Sequence, residues 1–332
     1  MQAGQWTGGC PHQPPTPLRP FSRRHRIRRL PTKRSRRELF VAAAAAGIVR
    51  GADRKWEPVQ LAHKHGAIEV IFAPGEVEAG RETVIAWIRE AMESVIAYFG
   101  RFPVSIAKIQ VTPSEGRRGA FGGVTYPQTP ALTEISVGTT TLAGHLESDW
   151  IMTHELVHMA LPSVARRHHW IEEGVASYVE PIARLHRGRL AASAVWNEMV
   201  QGMPKGQPRE GDRGLDRTPT WGRTYWGGAM FCLLADVRIR QATGNRMGLQ
   251  HSLRGILAAG GNIQQDWALS RILRTGDETV GATVLTDLHR EMGDVPVRVP
   301  LDELWAKLGV RGSSLDDEAP LATVRRAIET RV

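Results

Sequence analysis

The feature that most constrains the fold is Met152-Thr-His-Glu-Leu-Val-His158, embedded in a mostly apolar run. Apolar residues on both sides of the histidines predict a buried helix over 148–161. On a helix His154 and His158 stand four apart, so both imidazoles leave one face within reach of a single ion, with Glu155 beside them. A polar face on a buried helix is costly unless each group has a partner, and a bound metal supplies one. Two histidines need a third ligand if a tetrahedral zinc is to keep a position for water. Glu172 and Glu173, at the start of the next apolar, helix-like run, are the candidates. The plainer reading is a pair of core histidines satisfied by neighbours. A structural site, however, has no use for a carboxylate like Glu155 beside an open metal position.

The first 52 residues differ in kind from the rest. They hold eleven of the 43 Lys and Arg and one of the 34 Asp and Glu, leaving 32 basic and 33 acidic groups in residues 53–332. The net charge of +9 therefore belongs to the leader. The remainder is balanced and has no basic stripe interleaved with aromatics, which argues against nucleic-acid binding. Within the leader, Arg36-Arg37 precede the short apolar run 41–49. As a helix that run spans about 14 Å, too short for a bilayer. Basic segment, short apolar core and small residues describe an export signal, and the paired arginines resemble the twin-arginine type. The expectation is a basic leader over 1–52, a single catalytic domain over 53–332, no transmembrane span, and a periplasmic or extracellular bacterial location. Cys10 and Cys232 imply no disulfide in the mature chain.

Strands are expected at 67–73, 104–112 and 134–138, and a helix at 76–99. Past the metal helix the pattern is helical, broken by a loop over 202–220 that has no periodicity. A sheet-containing part over about 53–147 followed by a mainly helical lobe over 148–332 predicts an α+β fold.

The segment Trp170-Ile-Glu-Glu-Gly-Val-Ala-Ser-Tyr-Val-Glu180 resembles the Trp-Leu-Asn-Glu-Gly-Phe-Ala-Ser-Tyr stretch of the aminopeptidase N family. Tyr225-Trp-Gly-Gly and the following Ile239-Arg-Gln-Ala-Thr-Gly244 resemble a helix of the related glycyl aminopeptidases. Gly119-Ala-Phe-Gly-Gly-Val-Thr-Tyr126 occupies the place of the Gly-Ala-Met-Glu-Asn substrate strand. The resemblance covers about residues 119–250, in order. It implies a thermolysin-like zincin domain, a mixed sheet followed by a mainly helical lobe, of the gluzincin type. It selects Glu173 over Glu172 as third ligand to one Zn2+ per chain. It also gives Tyr225 a role in steadying the transition state and makes Gly119, Ala120, Phe121, Gly122 and Gly123 the strand that receives a peptide.

The chain departs from the family where Gly122 or Gly123 replaces the glutamate that captures a substrate's free amine, which leaves endo- and aminopeptidase action both open. Gly227 replaces the lysine after the tyrosine, and the connection from His158 to Glu173 is shorter than in aminopeptidase N relatives. In that connection His168 and His169 are discounted as rival ligands. Glu180, seven residues past Glu173 and so on the same helix face, is a candidate to orient a zinc histidine, although Pro181 beside it disturbs the backbone. The expected activity is hydrolysis of peptide or protein substrates by zinc-activated water with Glu155 as general base. The alternative is a catalytically weak binding or scaffold module of the cell envelope that keeps the metal. The sequence leaves the oligomeric state open.

Overall fold

A computed structural model describes residues 57–63 and 66–331, all within the unit Asp53–Val332. The expected leader and its arginine pair lie outside them. Five strands form one mixed sheet: β1 (Val59–His63), β2 (Gly66–Phe72), β3 (Ile106–Ser114), β4 (Ala120–Tyr126) and β5 (Ala131–Gly138), in the order β1-β2-β3-β5-β4. The two parallel pairs are β2 with β3 and β3 with β5, while β1 and β4 run antiparallel at the two edges. Helix α1 (Arg81–Phe99) connects β2 to β3. Alternate residues of the inner strands, among them Ile68, Val70, Ile109, Val111, Ile135 and Val137, are buried. They share one core with Val84, Ile88, Met92 and Val95 of α1. This period-2 burial is what lets a sheet bury one face and keep the other at the surface.

The short helix α2 (Ala143–Glu147) leads to α3 (Ile151–His158), α4 (His169–His186), α5 (Ala192–Gly202) and α6 (Gly228–Thr243). Helices α7 to α11 follow at Leu249–Ala258, Leu269–Val280, Val284–Met292, Leu301–Leu308 and Ala322–Glu329. The architecture is the α+β arrangement of a thermolysin-like zincin: a mixed sheet, then the helix carrying His154 and His158, then a mainly helical lobe. No helix among the described residues is long and apolar enough to cross a membrane.

Several elements differ from the sequence expectation. Helix α1 starts five residues late, after Gly80, whose φ of 78° is outside helical space. Strand β5 begins at Ala131, directly after Pro130, which has no N–H to give a ladder. Helix α4 runs unbroken through Pro181. The loop over 202–220 is anchored rather than free. Arg223 is buried, pairs with Asp212 at 2.9 Å and donates to the Gly206 carbonyl at 2.6 Å.

Helices α4 and α6 cross glycine on glycine. A Cβ on Gly174 would sit 2.4 Å from the backbone carbon of Gly228, and one on Gly228 would sit 2.2 Å from the Trp170 carbonyl oxygen. Backbone cannot yield as a flexible side chain can, so Gly174→Ala must push the helices apart. The expected cost is about 1–3 kcal/mol of overpacking, read as a lowered midpoint in thermal unfolding. An unchanged midpoint contradicts the close crossing.

Candidate metal centre

Helix α3 packs against edge strand β4 and against α4, so the centre lies where sheet and helical lobe meet. His154 and His158 project from one face of α3, and Glu173 comes across from the first turns of α4. The Oε2 of Glu173 lies 3.2 Å from His154 Nε2 and 3.6 Å from His158 Nε2. Tetrahedral zinc with ligands at about 2.0–2.1 Å holds its ligand atoms about 3.3–3.4 Å apart. The two separations from Glu173 bracket that value, and all three ligand atoms lie within 4.8 Å of one another, so the donor set suits such an ion. Burial pushes the His158 imidazole down to about 4, so it is neutral and offers a lone pair. Burial opposes the charge on Glu173, but hydrogen bonds with His154 and His169 hold its carboxyl well below the usual range.

Glu172 turns away. One of its oxygens meets His169 Nδ1 at 2.7 Å and the other accepts from the Val164 N–H at 3.4 Å. His169 reaches back along α4 to the far oxygen of Glu173 at 3.2 Å. Its two carboxylate partners raise its pKa to about 10. His169 is thus not one of the converging ligand atoms; it braces Glu173. This i,i+4 pairing could have been read from the sequence.

Glu155, beside the histidines, is buried against β4. The Thr125 hydroxyl donates to Glu155 Oε2 at 2.8 Å, and Thr133 on β5 completes a hydroxyl pair with Thr125 at 2.9 Å. With the Thr125 proton directed to Glu155, Thr133 is the donor within that pair. Burial raises the Glu155 carboxyl, against the lowering by His154 and the Thr125 hydrogen bond. A β-bulge between Phe121 and Val124 presses the strand against this carboxylate. A Cβ on Gly123 would fall 2.7 Å from Glu155 Cγ, whereas one on Gly122 would meet open space but at a φ of 64°. Position 123 thus has no room for a side chain. Neither Thr125 nor the steric role of Gly123 is visible in the sequence, because both arise from a strand-to-helix contact.

Tyr225 stands in a π turn, Arg223–Gly227, at the head of α6, a kind of irregularity often found at functional sites. Its ring stacks on His154 at 6.2 Å between centroids and 15° between planes. Burial, then the charge and hydrogen bond of Glu173, push its hydroxyl well above the ordinary tyrosine value, so it stays a donor. Glu180 corrects an expectation. It is buried, accepts from Arg184 Nη1 at 2.9 Å, and titrates at about 8, chiefly through burial. Its partner is an arginine one turn along α4 rather than a histidine of the centre.

A second cluster, His168, Asp216 and His289, has three potential ligand atoms within 4.8 Å of one another. Its polar groups are satisfied by one another and by Arg167 and Trp170. Arg167 Nε donates to His168 Nε2 at 2.8 Å, so the proton of that ring sits on Nδ1 and goes to Asp216 at 2.7 Å. Trp170 and His289 also donate to Asp216, at 2.7 and 2.9 Å. Against the effect of burial, these three bonds hold its carboxyl at about 2. The cluster lashes the loop ahead of Tyr225 to α4 and α9.

No protein-family profile matches the chain, and no curated protein sequence matches it. Solved structures do. An aminopeptidase N family protein from Idiomarina loihiensis matches with a TM-score of 0.58 and 11% identity, over 76% of this chain and 49% of that one. An M1 zinc metallopeptidase from Deinococcus radiodurans matches with a TM-score of 0.48 and 16% identity, over 74% of this chain and 51% of that one. The chain spans about half the length of these proteins. The first likeness is one of fold, and it agrees with the zincin arrangement built above from strands and helices.

Proposed function

We propose that this chain is a zinc-dependent metallopeptidase of the gluzincin type, with His154, His158 and Glu173 as metal ligands. The observation that carries the reading is the convergence of those three donors at zinc-compatible spacing, with an independently held carboxylate, Glu155, at their side. The ion, when bound, acidifies a water and polarises the scissile carbonyl. Thr125 occupies Glu155 Oε2, which leaves Oε1 to take the water's proton and pass it to the leaving amine. Tyr225, a donor held against His154, supplies its O–H to the oxyanion that develops, an effect worth about 3–4 kcal/mol where single donors have been removed. Strand β4 is an edge of the sheet, along which an extended peptide can pair at Ala120–Gly123; Gly119, just ahead of it, is held by Thr141 and Gly138 and sets where the strand begins.

The same strand argues for blocked or internal segments over free N-termini. It carries no carboxylate at 119–123, and Gly123 has no space for one. A terminal ammonium buried there without a counter-charge costs several kcal/mol. The test is a peptide and its N-acetylated twin, assayed with zinc and with chelator. Zinc-dependent cleavage of the blocked peptide, at least as fast as of the free one, is the expected result. A strict requirement for the free amine contradicts this part of the reading, and equal cleavage in chelator contradicts the whole.

A further inference from the structure

Eight tryptophans lie among the described residues, and six of them are buried or partly buried. The two exposed ones both stand at the metal centre. Trp150 is 43% exposed and Trp221 is 55% exposed. Each lies four residues ahead of a residue of the centre, Trp150 before His154 and Trp221 before Tyr225, and each touches that residue. Trp150 meets His154 edge-on at 5.4 Å and 89°; Trp221 stacks on Tyr225 at 5.8 Å and 26°. Since Tyr225 itself stacks on His154, the rings Trp221, Tyr225, His154 and Trp150 form one continuous run across the centre. An indole stands at each end with part of its surface open to solvent.

Indole is a large apolar group that a fold ordinarily covers, as it covers Trp170 and Trp196 here. Two indoles left open beside the same group of donors, and at no other place among the described residues, mark apolar surface kept for a ligand. Both are held by ring contacts to His154 and Tyr225, which are themselves packed together, so little ordering is needed when a side chain docks on them. We propose that Trp150 and Trp221 are the two apolar walls of the substrate cleft, and that the centre selects peptides with bulky apolar side chains beside the scissile bond. The proposal rests on the peptidase reading and deepens it by naming the substrate class.

The test uses the zinc-loaded full chain and N-acetylated, C-amidated peptides that differ only at the two residues flanking the bond, Phe and Leu in one series and Ala and Ser in the other. The native chain should favour the apolar series about tenfold or more in kcat/KM, the scale on which apolar pockets discriminate. Trp150→Ala and Trp221→Ala should each reduce that ratio severalfold, while Trp150→Phe and Trp221→Phe retain most of it. Binding is read separately by calorimetry on Glu155→Gln protein. The apolar peptide should bind more tightly than its small twin, and adding Trp221→Ala should weaken it. A ratio and a binding preference that survive both Ala variants overturn the proposal. If peptides are cut with no apolar preference, the walls fall and the peptidase reading stands. If no peptide is cut or bound by any form of the chain, both fall.

Discussion

Glu155→Gln is expected to leave a folded, metal-binding protein whose turnover is lower by about 10²–10⁴-fold, the usual contribution of a positioned general base. The side chains are nearly the same size, and the Thr125 hydroxyl that donates to Glu155 Oε2 can donate equally to an amide oxygen. The glutamine should therefore occupy the same space beneath β4. It cannot take a proton from water. The substitution also relieves the cost of a buried carboxyl whose pKa burial has raised, so stability should hold or rise slightly. Turnover is read in steady-state assays and metal content on the same sample. Retained turnover contradicts the role given to Glu155, and a loss of metal contradicts its placement beside the ligands rather than among them.

The second large effect is expected at His158. Its Nε2 is one of the three proposed donors, the imidazole is held neutral, and its neighbours are His154 and the Glu173 carboxylate. His158→Ala removes a third of the ligand set and leaves a cavity. Affinity for zinc should fall by orders of magnitude, and activity should be lost with it. The apo-protein should remain folded, because α3 is fixed by Met152, Leu156 and Val157, all fully buried in the core. Circular dichroism and metal analysis separate the outcomes. Tight zinc retention by the variant contradicts the ligand assignment.

What the sequence revealed and what it hid follow from the range of the interactions. The His154 and His158 pairing is a helix period, a purely local rule, and it is readable. The choice of Glu173 over Glu172 comes from a resemblance; in the structure the Oε2 of Glu173 lies beside both histidine nitrogens, while both oxygens of Glu172 are taken by His169 and the Val164 N–H. Strands with strong alternation, such as β2 and β3, stand out; β1, with Val59-Gln-Leu-Ala-His63, has one fully buried residue and no clear signal. Thr125 and Gly123 depend on a strand and a helix distant in sequence meeting at Glu155, and no local pattern encodes that; Trp150 and Trp221 stand one helical turn ahead of His154 and Tyr225, but their exposure is set by the surrounding fold. Asp216 lies in a stretch without periodicity, and its three donors come from α4, the turn before it, and α9. Glu180 shows the limit of helix-face reasoning. It does share a face with Glu173, but at seven residues' distance its carboxylate finds Arg184 first.

The most direct measurement is a zinc titration of metal-stripped protein, with bound zinc and cleavage of an N-acetylated peptide followed together. The account predicts that cleavage rises in proportion to bound zinc and levels off at about one ion per chain, the number that His154, His158 and Glu173 can hold with one position left for water. Cleavage already complete in the stripped protein, or one tightly bound zinc without cleavage of any peptide, contradicts it.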